Sequence, residues 1–359
     1  MRVTLPLRWN PVVTGVRRRR IAVSSFYLPS ESKIGAGWMA HRLANALVRI
    51  GHDVTMFSPC VRPDDALYEH AWVPMEGSLR TFRWALRVRE IDFQRFDALL
   101  AQGDDHLVPR GAVGAHIRTL HGSCFYEAIH STGVVGRIRM GALGLTELAS
   151  AVRVPDVVGV SKNSLRPFPW RRTVIPNGVD LDRFRPADRD EKDPLPTILF
   201  VGTFGRRKRG WLLQETFARY VRPRIPNAQL WMVCDDAPGA PGVHVLGRIS
   251  DDELADRYRR AWVFCLPSTY EGFGVPYAEA MVSGTAVVAS ANPGSREVLR
   301  DGLDGVLAPD AQLGRAIVRL LVDSNAREEL EARGLARRAE FDFLDIARRY
   351  TELVERQLT

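Results

Sequence analysis

Lysine is nearly missing from this 359-residue chain: Lys33, Lys162, Lys192 and Lys208 are the only four among 50 basic residues. The formal charge of +8 therefore rests on arginine. So strong a bias reads as GC-rich coding rather than a nucleic-acid-binding surface, and no nucleic acid is expected as a partner. It still leaves a basic exterior suited to phosphorylated ligands or an anionic membrane. Cysteine is scarce as well. Cys60, Cys124, Cys234 and Cys265 show no CxxC spacing and lie mainly in apolar, strand-like contexts, which argues against a disulfide framework and a zinc site and fits a reducing compartment. No apolar run approaches the ~20 residues that cross a bilayer, and no basic start leads into a signal-type apolar core. The expected location is the cytoplasm, with the inner face of the membrane as a peripheral site.

The length suits two domains of ordinary size. Residues 1–20 carry six arginines and no acid and read as an extension or an extra strand. Regular patterning starts at Ile21–Phe26, passes through Gly35-Ala-Gly37 into a helix ending at Gly51, and continues with a strand from Asp53 to Phe57. Strand, glycine turn, helix and strand make a βαβ unit. Further strands are predicted at 97–101, 116–120 and 157–160, and helices at 79–89 and 137–151. Polar, proline-bearing composition at 186–196 marks a boundary. A second set of strands is predicted at 197–201, 229–234, 243–246, 262–266, 286–289 and 305–307, followed by a C-terminal helix with Phe341, Ile346, Tyr350 and Leu353 at helical spacing. The fold class is α/β, with two doubly wound Rossmann-like domains at 1–185 and 195–341.

Two glutamates dominate the chemistry. Glu271-Gly-Phe-Gly-Val-Pro-Tyr-Ala-Glu279 follows the apolar strand at 262–266, so Glu271 falls in a glycine loop and Glu279 on the opening turns of a helix. Both carboxylates are predicted to face one cleft. Exposed amides at Gly272 and Gly274, beside a helix N-terminus, favour an anion such as phosphate. A basic turn, Arg206-Arg-Lys-Arg209, sits between strand 197–201 and the next helix, where cations reach phosphate oxygens. On the first-domain side, His121 ends strand 116–120 and is followed by Gly122.

These segments resemble the retaining, nucleotide-sugar-dependent glycosyltransferases of family 4. The match to E-G-F-G-x-P-x-x-E-A-M runs from Glu271 to Met281, and a second lies at Val174–Pro186. The resemblance implies the GT-B architecture of two Rossmann-like domains facing a central cleft, with the last helix, 342–359, crossing back to the first. It implies transfer of a sugar from a nucleotide sugar to a hydroxyl-bearing acceptor, in glycan, glycolipid or natural-product biosynthesis. By resemblance, Glu279 holds the ribose, Glu271 the sugar hydroxyls, and Phe273, Gly274 and Val275 touch sugar or phosphate. Lys208 faces the diphosphate, with Arg207 and Arg209 as further cations, because Thr203 stands where the family has an arginine. His121 lies beside the transferred sugar, Gly247 and Ile249 belong to a base-contacting loop, and Gly35 and Gly37 allow close backbone approach to donor or acceptor. No metal or other cofactor is expected, since basic turn and helix dipole take its place. The DxD look-alikes Asp180-Leu-Asp182 and Asp188-Arg-Asp190 read as a turn and a charged linker.

Two other classes stay open. A non-catalytic nucleotide-sugar-binding or scaffold protein is suggested by Thr203, whereas sugar-nucleotide epimerisation lacks the glutamate pattern. Leu79–Arg89 spaces arginines and aromatics helically, which fits either an ordinary amphipathic helix, the preferred reading, or a helix lying on an anionic membrane next to lipid-linked acceptors.

Overall fold

The computed structural model describes residues 17–29, 35–75, 80–130, 133–188 and 191–359. Most of the basic prefix, the start of the predicted 79–89 helix and Asp190 lie outside them.

The first sheet has seven strands: β1 (Arg20–Ser24), β2 (Asp53–Ser58), β3 (Glu69–Trp72), β4 (Ala98–Ala101), β5 (Ala115–Leu120), β6 (Asp156–Gly159) and β7 (Thr173–Val174). They are ordered β3-β2-β1-β4-β5-β6-β7. The second sheet, β8 (Thr197–Val201), β9 (Gln229–Val233), β10 (Val243–Val245), β11 (Val263–Leu266), β12 (Ala286–Ala289) and β13 (Val306–Leu307), is ordered β10-β9-β8-β11-β12-β13. Ile21 pairs in parallel register with Val54 on one side and Ala98 on the other, and Ile198 likewise with Leu230 and Val263. Parallel strands need long crossover connections, most of them helical here, that cover both faces. This is why β4 and β11 are buried at every position and read as unbroken apolar runs.

The helices are α1 (Gly35–Arg49), α2 (Arg80–Glu90), α3 (Cys124–His130), α4 (Val134–Arg153), α5 (Lys162–Leu165), α6 (Gly210–Thr216), α7 (Asp251–Arg260), α8 (Val275–Val282), α9 (Pro293–Val298), α10 (Leu313–Val322), α11 (Ser324–Ala336) and α12 (Phe343–Leu358). Trp84, Ala85 and Val88 of α2 are fully buried with Phe57, Phe93 and Leu99, so the amphipathic pattern of this helix serves the core.

The chain forms two compact units, Met1–Leu120 with Leu145–Val158 and Phe343–Thr359, and His121–Gly144 with Gly159–Asp342. The predicted boundary at 185–195 differs, because segments after His121 and Gly159 make their contacts in the second unit. There Ser161 Oγ donates to the Gly272 carbonyl at 2.7 Å, and the Lys162 amide donates to the Glu297 carboxylate at 2.8 Å. The first unit gains its last helix from the C-terminus. Arg19 pairs with Glu355, His52 meets Thr351 Oγ1 at 2.9 Å, and Gln357 accepts from the His116 amide at 2.9 Å.

Candidate active site

The second sheet reverses its strand order between β8 and β11, and in an open parallel sheet ligands bind beyond the strand ends at such a point. The loops leaving β8 and β11 meet there. The β8 loop carries Arg206–Lys208 in a single 3-10 turn, and the β11 loop carries Glu271. Lys208 Nζ lies 2.8 Å from Glu271 Oε1, and Arg207 Nη1 lies 3.0 Å from Oε2. One carboxylate thus holds two cations. Burial is the largest influence on Glu271 and pushes its pKa up, but Lys208 and Arg207 outweigh it and keep the carboxylate below its usual range. For Lys208, burial outweighs the opposing pull of Glu271 and Glu279 and leaves the ammonium below the usual lysine value. Glu279, one turn into α8, therefore acts on the same ammonium as Glu271, and on the buried Tyr258 hydroxyl. The Arg207 side chain is 48% exposed against 14% for Lys208, so Arg207 presents its charge outward while Lys208 is held inside.

Backbone geometry around this cluster is strained. Arg206 (φ 53°), Arg209 (φ 52°) and Gly274 (φ 98°) are all left-handed, a concentration that costs about 1–3 kcal/mol at each non-glycine residue and gathers at ligand sites. At Gly274 a Cβ would also collide with the Tyr277 ring. Gly274 begins α8 without a side-chain cap, whereas Ser250, Asn292 and Asp323 cap α7, α9 and α11. The opening amides of α8 thus add a positive dipole end to the cations. His121 reaches the same loop, since a Cβ on Gly272 would lie 2.9 Å from the His121 carbonyl oxygen. Next to it, Tyr270 has its phenol pushed up to about 12, chiefly by burial.

The predicted residues separate into groups. Glu271, Glu279, Lys208, Arg207, Gly274 and His121 converge in the second unit, with Phe273 buried in its core and Val275 opening α8. Arg209 is occupied otherwise: its guanidinium grips both Asp310 oxygens at 2.7 and 2.9 Å, the Pro267 carbonyl at 2.6 Å and Ser290 Oγ at 3.0 Å. It ties the ends of β8, β11 and β12 together. Thr203 donates to the Gly205 carbonyl at 3.2 Å and only shapes its own turn. Gly247 (φ 62°) and Ile249 precede the Ser250 cap of α7. In the first unit, Gly35 opens α1, and a Cβ on Gly37 would lie 2.9 Å from Tyr27 backbone. The close approach at Gly37 is helix on loop.

Two participants escaped sequence reasoning. A Cβ on Gly294 would strike the Phe273 carbonyl at 2.6 Å and Glu271 Cβ at 2.7 Å, so α9 abuts the glutamate loop. Asn292 caps α9 and donates to the Ser268 carbonyl at 3.1 Å and to Tyr277 Oη at 3.2 Å. The run Asn292-Pro-Gly-Ser after an apolar strand was the available signal.

Residues 195–323 match the family model described as glycosyl transferases group 1. Over 200 residues the chain is 34% identical to a phosphatidyl-myo-inositol mannosyltransferase of Mycobacterium tuberculosis (strain ATCC 25618 / H37Rv), a match covering 50% of this chain and 53% of that protein. It thus spans about half the length of that relative. The protein of the same name from Mycolicibacterium smegmatis matches more widely, at 31% identity over 356 residues, 88% of this chain and 89% of the relative. Among solved structures, an Anabaena protein, Alr3699/HepE in complex with UDP-glucose, superposes with a TM-score of 0.75 at 16% identity, covering 94% of this chain and all of that one. This last likeness speaks for the fold, two parallel sheets in a GT-B arrangement.

Proposed function

The chain belongs to the glycosyl transferases of group 1, and from that premise we propose that it moves a sugar from a nucleoside diphosphate onto an acceptor hydroxyl with retention of anomeric configuration. The observation that carries this reading is the Arg207–Glu271–Lys208 cluster at the β8/β11 reversal, beside the uncapped start of α8.

In this reaction the bond from the anomeric carbon to the diphosphate oxygen breaks, and a bond to the acceptor oxygen forms on the same face. The acceptor proton leaves with the departing phosphate. Lys208 and Arg207, with the amides of α8, stabilise the charge growing on that phosphate. Glu271 orients both cations, and its remaining lone pairs accept from sugar hydroxyls. Glu279 takes the ribose, and His121 contacts the transferred sugar. The reading needs no metal, because fixed cations and a helix start supply the positive potential. Transfer is expected to persist in EDTA, and its abolition by chelator with rescue by manganese would overturn this part.

The acceptor proposed is a membrane lipid headgroup, by analogy with the similar phosphatidyl-myo-inositol mannosyltransferases, and the location proposed is cytoplasmic at the membrane face. Among the described residues no helix is long and apolar enough to cross a bilayer. Calorimetry with UDP, GDP, TDP and ADP tests the donor. Product NMR then reads the anomeric configuration. Binding without transfer or donor hydrolysis would favour the non-catalytic alternative that Thr203 suggests.

A further inference from the structure

Helix α4 begins with apolar side chains in water. Val134, Val135 and Ile138 are 71%, 82% and 67% exposed, and Ile129 on neighbouring α3 is 68% exposed. At ~100° per residue the three α4 positions fill an arc of about 100° on the helix. Arg137 and Arg139, both exposed, fall on the two sides of that arc. From 128 to 146 the sequence has no acidic residue; the nearest acids are Glu127 and Glu147. Among the described residues these four large aliphatic groups face solvent rather than the core, and exposed apolar surface beyond single scattered residues marks an interaction site.

We propose that this corner, the end of α3 and the first turns of α4, docks on an anionic lipid surface. An aliphatic stripe flanked by arginines has the build of an interfacial helix, whose apolar side enters the acyl boundary while guanidinium groups stay at the phosphates. Charge selects lipid over a second copy of the chain. A two-fold dimer through the same patch would set the arginines of two copies against each other, whereas anionic headgroups neutralise them. The helix that sequence patterning singles out for this role, α2, is unsuited, since Trp84, Ala85 and Val88 are consumed by the core. The inference extends the lipid-acceptor reading but stands on the exposed helix face alone.

Co-sedimentation with vesicles of phosphatidylcholine, with and without phosphatidylglycerol, is the test. Wild-type chain is expected to pellet with phosphatidylglycerol vesicles and to stay in solution with pure phosphatidylcholine. The double variant Val135→Asp, Ile138→Asp should lose at least roughly tenfold in partition. Arg137→Gln with Arg139→Gln should lose roughly fivefold per arginine. Leu86→Asp on α2, at an exposed position, should change nothing. Calorimetry with nucleoside diphosphate and a thermal melt on each variant establish that the fold and donor site are intact, so failure here is separable from failure of the transferase reading. Equal partition of the aspartate variant, no wild-type binding to either vesicle, or a sedimentation-velocity dimer that the aspartate pair dissolves would each overturn the proposal.

Discussion

The two units treat buried charge in opposite ways. In the first, Asp105 is fully enclosed and receives the Arg118 guanidinium, His116 Nε2 at 2.9 Å and Ser150 Oγ at 2.8 Å. All three donors come from inside the unit, and with β5, α4 and the β4–β5 loop all supplying a member, the cluster fastens an otherwise helix-free crossover. In the second, Glu271 is also buried, yet one of its two cations, Arg207, is half exposed, and the pair sits where strand order reverses. A closed network spends its charge on itself, while an open one keeps charge for a ligand. Perturbed acids occur in both units, so perturbation alone does not locate the active site.

That contrast breaks most easily at Asp105. Asp105→Asn leaves Arg118 and His116 buried beside a neutral amide and should cost about 3–5 kcal/mol of stability, read as a lower urea midpoint at unchanged slope. Lys208→Met should do the reverse. Arg207 still holds Glu271, so the melting temperature should hardly move, while turnover falls roughly 10²–10³-fold through the lost partner of the departing phosphate. If Lys208→Met unfolds the protein and Asp105→Asn leaves stability intact, the assignment of the two clusters is inverted.

Arginines 207 and 209 sharpen the same distinction inside one turn. Arg207→Ala should weaken nucleoside diphosphate affinity by the value of one charged hydrogen bond, about 1.5–3 kcal/mol, with little loss of stability. Arg209→Ala frees Asp310 and the Pro267 carbonyl and should lower stability by a similar amount, with affinity following only indirectly. Calorimetry and melting on the two variants must give opposite rankings; a common ranking means the arginines share one role.

The sequence made these two arginines look interchangeable, and the reason is physical. Local pattern shows that four basic residues occupy a strand-to-helix turn, but Arg209 is committed by Asp310, 101 positions downstream. Period and punctuation carry no such distance. What was legible was whatever short-range chemistry writes: apolar runs of buried parallel strands, the Gly-Phe-Gly-Val-Pro opening of α8, and a cationic turn after β8. Edge strand β3, Glu-His-Ala-Trp with no buried position, lacks both an apolar run and clean alternation, so no local pattern marks it as a strand. The contribution of segment 121–144 to the second unit was hidden for the same reason as Arg209.

The smallest expected effect lies at Asp104, next to the closed cluster. Burial, joined by repulsion from Asp105 and Glu147 against the attraction of Arg118, raises its pKa from 3.8 to about 6. A carboxyl raised on folding favours the protonated native state, so its stabilising share is complete below the unfolded value and is lost as pH rises through about 6. Asparagine cannot titrate, and it tolerates the left-handed backbone found here, φ 58°. Asp104→Asn should therefore melt higher than wild type at neutral pH, with the gap closing as the buffer is taken down towards about pH 4. Comparing the two proteins in each buffer cancels every other titrating group. A gap independent of pH would mean that Asp104 is as well solvated as an ordinary surface acid, and that the closed network of the first unit ends at Asp105.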